Sequence, residues 1–362
     1  MIKLRPQPLR GRPTVSVVVP CYNYGRFLPD CVSGVLGQEE VEVDVVIVDD
    51  ASPDGSSVVA RRLAAADQRV RLIAHETNRG HIATYNEGLA VAEGEFVVLL
   101  SADDLLSPGS LARSVALLQA HPEVGMVYGF SPTFADRPPT PRTTARSWSI
   151  WPGLEWIEQM CRRMSNPVST PEVVMRGSLM REFVGYDKRL PHAADLLLWL
   201  RAATRGPIGR INGADQAFYR KHGANMHVEM FAGVYTDIAE RRRTFDILFD
   251  EDSACFPDGH QLREVALRSL AREALVTMCQ AEKLGQVGDE PHDKLVALAA
   301  EMCPPERDPR LWRAYERTQT RSRSGRGPVV PRTVGRAMAD LGGRIRWRRW
   351  RRTGLMSAVG SL

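Results

Sequence analysis

Two adjacent carboxylates, Asp103 and Asp104, close the stretch Ser101-Ala102-Asp103-Asp104 directly after the apolar run Glu95–Leu100. A run of that kind reads as a strand buried in a parallel sheet. Ligands of open α/β sheets bind beyond the carboxyl ends of such strands. Neighbouring acids repel each other and lose solvation, so the pair calls for a cation. A hard divalent ion that also holds a substrate's phosphates would answer that need. A solvated turn is the alternative, since Asp, Ser and Pro all favour turns.

Three other strand ends carry polar groups of the same character. The first is Pro20-Cys21-Tyr22-Asn23-Tyr24, where a Tyr ring could stack on a base and Asn23 could hydrogen-bond to it. The second is Asp49-Asp50-Ala51-Ser52-Pro53-Asp54-Gly55, whose carboxylates could accept from a base N–H or a ribose hydroxyl. The third is Asn78-Arg79-Gly80, where Arg79 could reach base or phosphates and Gly80 permits close backbone approach. Taken singly, Asp54-Gly55 is a turn and Asn78 a helix cap. Four in succession point to a binding edge.

The elements that must position these groups alternate along the first 130 residues. Val15 to Val19, Val43 to Val48, Val70 to Ala74, Phe96 to Leu100 and Gly125 to Tyr128 read as strands. Phe27 to Leu36, Val58 to Ala65, Ile82 to Ala92 and Leu111 to Ala120 read as helices between them. Strict alternation predicts an α/β domain with a mostly parallel central sheet and helices on both faces. Residues 131–150, rich in Pro, Arg and Thr, read as a loop. Further on, Leu154 to Met164 and Leu196 to Ala203 have helical spacing, and Val173 to Met175 and Ala217 to Arg220 read as strands. From Thr236 to about Arg317 the pattern is helical, with breaks at Phe256–Gly259, Gly288-Asp289 and Pro304-Pro305.

The ordered motifs Thr14–Asn23, Val45–Gly55, Asn78-Arg79-Gly80, Asn86–Glu95 and Leu99–Asp104 together resemble the family 2 glycosyltransferases, over roughly residues 14–225. The resemblance implies a GT-A-type nucleotide-diphospho-sugar-binding fold and an inverting, non-processive sugar transfer assisted by Mn²⁺ or Mg²⁺. It places Asp50, alone or with Asp49, on the nucleobase, Asp103 near the ribose and Asp104 on the metal. Pro20, Tyr22, Asn23 and Arg79 join the donor-binding set. Gly185–Pro191 followed by Ala194–Arg201 is similar to the family's acidic segment before a Leu-Trp-Leu-Arg helix, which puts Asp195 at the catalytic base. An acceptor hydroxyl needs such a base as it attacks the anomeric carbon. Asp195 also reads as an N-cap of its helix. Trp199 reads as core, or as a ring that stacks on an acceptor sugar. Tyr219–Asn225 resembles the segment that closes the catalytic domain, with Arg220 or His222 at the diphosphate. Two departures stand out: Ser101 replaces an Asp, and Ala194 a Glu.

The implied donor is a nucleotide-diphospho-sugar, and the acceptor a glycan, a lipid-linked intermediate or a small metabolite. Sugar nucleotidyl transfer on a similar fold is disfavoured, because Cys-Tyr-Asn follows the first strand rather than a Gly-rich, basic loop. A non-catalytic nucleotide-sugar-binding or membrane scaffold is a third reading. Gly343-Arg-Ile-Arg-Trp347 lacks the Gln of the processive synthases' motif.

Composition narrows the setting. The net charge of +5 hides a division: residues 321–362 carry eleven Arg and one acid, leaving −5 for the first 320. That tail, with Trp347 and Trp350 among its arginines, suits an anionic membrane surface or stays a solvated segment. No nucleic-acid module accompanies it, which disfavours a nucleic-acid partner. No run approaches the roughly 20 apolar residues of a membrane span. The N-terminal residues show no signal-peptide apolar region. The six cysteines show no paired or metal-ligand spacing, as expected of free thiols in a reducing cytoplasm. The organisation expected is an extension (1–13), a nucleotide-sugar half (14–130), an acceptor half (131–235), a helical region (236–320) and the basic tail (321–362).

Overall fold

Valine-rich runs make the centre of the main sheet, because β-branched side chains suit a pleated surface buried on both faces. In the computed structural model, which describes residues 1–163, 166–223, 225, 233–283 and 292–323, these runs are β2 (Thr14–Cys21), β3 (Glu42–Asp49), β4 (Val70–Ala74) and β5 (Phe96–Leu99). A short edge strand, β1 (Ile2–Leu4), precedes them, and β6 (Leu105–Leu106), β7 (Met126–Tyr128), β8 (Thr133–Phe134) and β9 (Ser147–Trp151) follow. The last three are β10 (Val174–Arg176), β11 (Ile208–Asn212) and β12 (Ala217–Arg220). Nine strands form one sheet in the order β1-β9-β11-β7-β10-β5-β2-β3-β4, and β6-β12-β8 form another.

Strands β4, β3, β2 and β5 are mutually parallel. Strand β10 runs antiparallel between β5 and β7, and β11 continues parallel to β7. The fold is therefore the mixed α/β sheet expected, mostly parallel at its centre. Helices α1 (Leu28–Leu36), α2 (Ser56–Ala66), α3 (His81–Ala90) and α4 (Ser110–Ala120) connect the strands, followed by α5 (Gly153–Cys161), α6 (Gly177–Phe183) and α7 (Ala194–Arg205). In α1 the buried residues Leu28, Cys31, Val32 and Val35 repeat at helical spacing and form one apolar stripe. Helix α3 lies close on the sheet: a Cβ at Gly88 would stand 2.4 Å from a Val18 methyl.

One expectation fails here. Residues 131–150 are not loop throughout, since all five residues of β9 are buried between β1 and β11. The Ser-Trp-Ser-Ile-Trp run supplies the apolar side chains, and the preceding Pro-rich stretch conceals it. Within the N-terminal extension, Ile2–Leu4 join the edge of the sheet as β1.

The contacts divide the chain into two compact units: Met1–Trp156 with Val168–Asn225, and Ile157–Pro167 with Met226–Leu362. The second is helical where described, with α8 (Val234–Glu251), α9 (Gly259–Lys283), α10 (His292–Met302) and α11 (Pro309–Arg323). Helix α9 packs against the other three. Ile238, Phe245, Leu248, Leu270, Ala274 and Leu298 lie in its core. The break at Gly288-Asp289 and the tail beyond Arg323 lie outside the described residues. Among the described residues no helix is long and apolar enough to cross a membrane.

A 3₁₀ turn, Thr170–Glu172, leads into β10, with Glu172 reaching back to the Ser169 amide at 3.3 Å. Glu172 is 2% exposed. Burial pushes its carboxyl up from 4.5 to about 8, against the opposing pull of the Ser169 amide and the Arg210 charge. The folded chain thus holds this proton more tightly than the unfolded one, and loses stability as pH rises from about 4.5 to about 8. Glu172→Gln is expected to flatten that part of the pH dependence of Tm and to raise Tm at pH 8. A profile that matches wild type would show that Glu172 makes no such contribution.

Candidate active site

Backbone bonds continue the parallel ladder past the strand ends and bring the polar groups side by side. The Asp50 amide donates to the Cys21 carbonyl, that of His75 to Asp49, and that of Ala102 to Pro20. The segments after β2, β3, β4 and β5 thereby form one edge, the place where doubly wound sheets bind ligands.

Asp103 and Asp104 follow β5, and both are buried, Asp104 to 1% exposure. The second sheet carries their partners. Pairing of β12 with β6 sets Ala217 opposite Leu106 and so delivers Arg220 to the acids. The Arg220 amide donates to Asp104 Oδ1 at 2.8 Å, and its Nε to the Asp103 carbonyl at 2.8 Å. The guanidinium lies 4.5 Å from the ring centres of both Phe27 and Phe134. Asp103 Oδ2 meets His222 Nε2 at 3.0 Å and Asn225 Nδ2 at 3.2 Å.

Burial pushes both carboxyls up; for Asp104 the Asp103 charge adds to it, whereas for Asp103 the His222 hydrogen bond opposes it. Two buried acids that repel each other offer carboxylate oxygens of the kind a hard divalent cation takes. Among the described residues no group of three or more His, Cys, Asp or Glu could hold a metal on its own. A cation here would complete its shell with phosphate oxygens and water, the mode typical of Mg²⁺.

Asp50 is engaged within the protein. Its Oδ1 accepts from His75 Nδ1 at 2.7 Å and the Arg79 amide at 2.8 Å, and its Oδ2 from the Gly80 amide at 3.0 Å. Burial raises its carboxyl, but these donors outweigh it and hold the group below its usual value. Asp50 therefore anchors the Asn78–Gly80 loop. The neighbouring Asp49 is different: its Oδ1 is buried without a partner, as is Asn23 Oδ1. Asn23 adopts φ 60° and donates its amide to Ser52 Oγ at 3.0 Å. Tyr22 is 45% exposed beside them. The Arg79 guanidinium pairs with Glu87 at 2.8 Å.

Asp195 is the second residue of α7, whose N-cap is Ala193, so it is not the cap. An acid in the first turn still suits the positive end of the helix. Burial pushes the Tyr85 phenol up, and the charges of Asp103, Asp195 and Asp104 push it further. Burial and the same three carboxylates, Asp104 foremost, do so at Tyr219. The charges of Asp195 and of the Asp103-Asp104 pair thus act on the same two phenols. Trp199 is 1% exposed and lies in the core, so it offers no face for a sugar to stack on. Its ring meets the edge of Tyr186 at 6.4 Å.

Sequence reasoning did not single out His75, Tyr85 or Tyr186, and gave Asn225 no role of its own. Asn225 and Tyr186 had a signal, their places in the motifs Tyr219–Asn225 and Gly185–Pro191.

Residues 16–178 match the family model described as Glycosyl transferase family 2. That segment of the chain is a glycosyltransferase family 2 domain by this match. Among curated relatives, an uncharacterized glycosyltransferase of Haemophilus influenzae is 23% identical over 215 residues, covering 58% of this chain and 66% of that protein. Glycosyltransferase GlyG of Streptococcus pneumoniae is 32% identical over 119 residues, covering 32% and 40%. The putative glycosyltransferase EpsE of Bacillus subtilis is 29% identical over 201 residues, covering 55% and 69%. The chain thus spans less than two thirds of the first two. S. aureus TarS 1-349 in complex with UDP-GlcNAc shares the fold: TM-score 0.63 at 16% identity, over 90% of this chain and 92% of that one.

Proposed function

We propose that this chain moves a sugar from a nucleotide-diphospho-sugar to an acceptor hydroxyl, with inversion and without processivity. The observation that carries the reading is the buried pair Asp103 and Asp104 just beyond β5, held by Arg220 and His222, with the charges of both and of Asp195 acting on Tyr85 and Tyr219. Asp195 takes the proton of the acceptor hydroxyl as its oxygen bonds to the anomeric carbon. The bond from that carbon to the diphosphate oxygen breaks on the opposite face, and the nucleoside diphosphate leaves. One displacement of this kind inverts the anomeric centre. Asp104, with Asp103 beside it, would hold Mn²⁺ or Mg²⁺, which neutralises charge on the departing diphosphate. Arg220 and His222 hold the acids in place next to it. The unpartnered oxygens of Asp49 and Asn23 suit the N–H groups of a base, with Tyr22 available to stack. The acceptor is a glycan, a lipid-linked intermediate or a small metabolite.

UDP-GlcNAc, the ligand of the TarS complex, is the first donor to try, followed by other UDP-, GDP- and dTDP-sugars. A donor at about a hundred times its Kd stabilises the fold by about 2.7 kcal/mol. One nucleotide sugar is therefore expected to raise Tm by several degrees with Mn²⁺ present, and less when EDTA replaces the metal. No shift with any of the panel would overturn the reading.

A further inference from the structure

The residue proposed as base sits at the start of α7, and the segment that leads to it is held from α3. That segment leaves α6 at Val184, which is 83% exposed at φ 56°. A β-branched residue seldom adopts this conformation. It persists where the surroundings over-determine the backbone. Next, Asn86 of α3 grips the main chain of Tyr186 from both sides. Its Nδ2 donates to the Tyr186 carbonyl at 2.8 Å, and its Oδ1 accepts from the Tyr186 amide at 2.7 Å. The two bonds together fix which way the Asn86 amide faces. Gly185, at φ 89°, makes room for it: a Cβ there would stand 2.2 Å from Asn86 Oδ1.

Two further contacts follow the same helix. The Tyr85 ring meets that of Tyr186 edge-on at 5.5 Å, and Tyr186 meets Trp199, one helical turn beyond Asp195. His81 Nε2 lies 2.7 Å from the Pro191 carbonyl. The other end of the linkage is on the donor side, since Gly80, the N-cap of α3, donates its amide to Asp50. Helix α3 thus runs from the Asp50 anchor to the segment that carries Asp195.

We propose that Asn86 is a positioning residue for Asp195, setting the base's distance from the donor edge through Tyr186. The proposal rests on Asp195 being the base. Displacing a reacting group by about 1 Å costs about 10²-fold in rate, so losing the grip lowers turnover more than donor affinity.

The test compares Asn86→Ala and Asn86→Asp with wild type. It measures amide hydrogen exchange across the chain and Mn²⁺-dependent hydrolysis of UDP-GlcNAc, or of the panel sugar that gives the largest thermal shift. Asn86→Ala is expected to speed exchange at residues 184–196 about 10-fold and leave β2 and β3 unchanged. It should lower kcat by about 10- to 100-fold and keep KM within about 2-fold. Asn86→Asp keeps an acceptor for the Tyr186 amide and should recover part of both losses. Unaltered exchange at 184–196, unaltered kcat, or equal acceleration throughout the sheet would each overturn the proposal. If wild type hydrolyses no donor, the functional reading fails by itself, and exchange at 184–196 alone upholds or overturns the grip.

Discussion

Asp195→Asn is expected to lower kcat for sugar transfer about 10²- to 10⁴-fold, the range for loss of a general base. Nucleotide affinity should stay within about 2-fold, because the donor edge is built by other segments. The substitution keeps the shape of the side chain and removes only its charge and basicity. Its cost in stability is small, about 0.3–1 kcal/mol for an acid lost from a helix's first turn. Calorimetric binding of nucleotide, paired with single-turnover transfer, separates the two effects. Transfer at the wild-type rate would remove Asp195 from the mechanism.

Asp104→Asn should divide stability from function in the opposite sense. Burial and the Asp103 charge both favour the protonated form of Asp104 in the fold. The metal-free wild type therefore loses stability as pH rises from the ordinary carboxylate range through the higher pKa of the folded state. An amide escapes that cost and still accepts from the Arg220 amide. The variant is expected to be more stable than metal-free wild type at neutral pH, by about 0.5–2 kcal/mol. The advantage should shrink as pH falls. Mn²⁺-dependent binding of the donor should be lost. Retained metal-dependent binding would refute the ligand assignment, and lower stability at neutral pH would refute the electrostatic one.

The binding edge is legible in the sequence because its two causes are local. Apolar β-branched runs such as Val15–Val19 declare strands, and the polar groups directly after them declare what the edge presents. Their partners are not local. Nothing within reach of Asp50 in the chain indicates that His75 and the Arg79 and Gly80 amides occupy its carboxylate. Asn86 meets Tyr186 across a hundred residues. Strand β11 escapes the apolar pattern because Gly209 and Arg210 interrupt it, yet Arg210 is buried with its guanidinium 6.0 Å from the Tyr128 ring centre. Trp199 shows the converse limit: a Trp near a presumed acceptor is compatible with stacking or with core, and only burial decides between them.

Strand β10 has a consequence for how the chain can be made. It sits between β5 and β7 although both precede it by dozens of residues. During synthesis β5 has β2 on one flank and an open edge on the other until Val174–Arg176 emerge. Open edges of this kind invite intermolecular pairing, and non-local strand pairing is slow to form. Strand β5, which leads into Asp103 and Asp104, therefore stays open on one flank until β10 is made. A fragment ending near residue 130 leaves β5 and β7 with no partner between them, and aggregation is its natural fate. The motifs come first in the chain, but the site matures late.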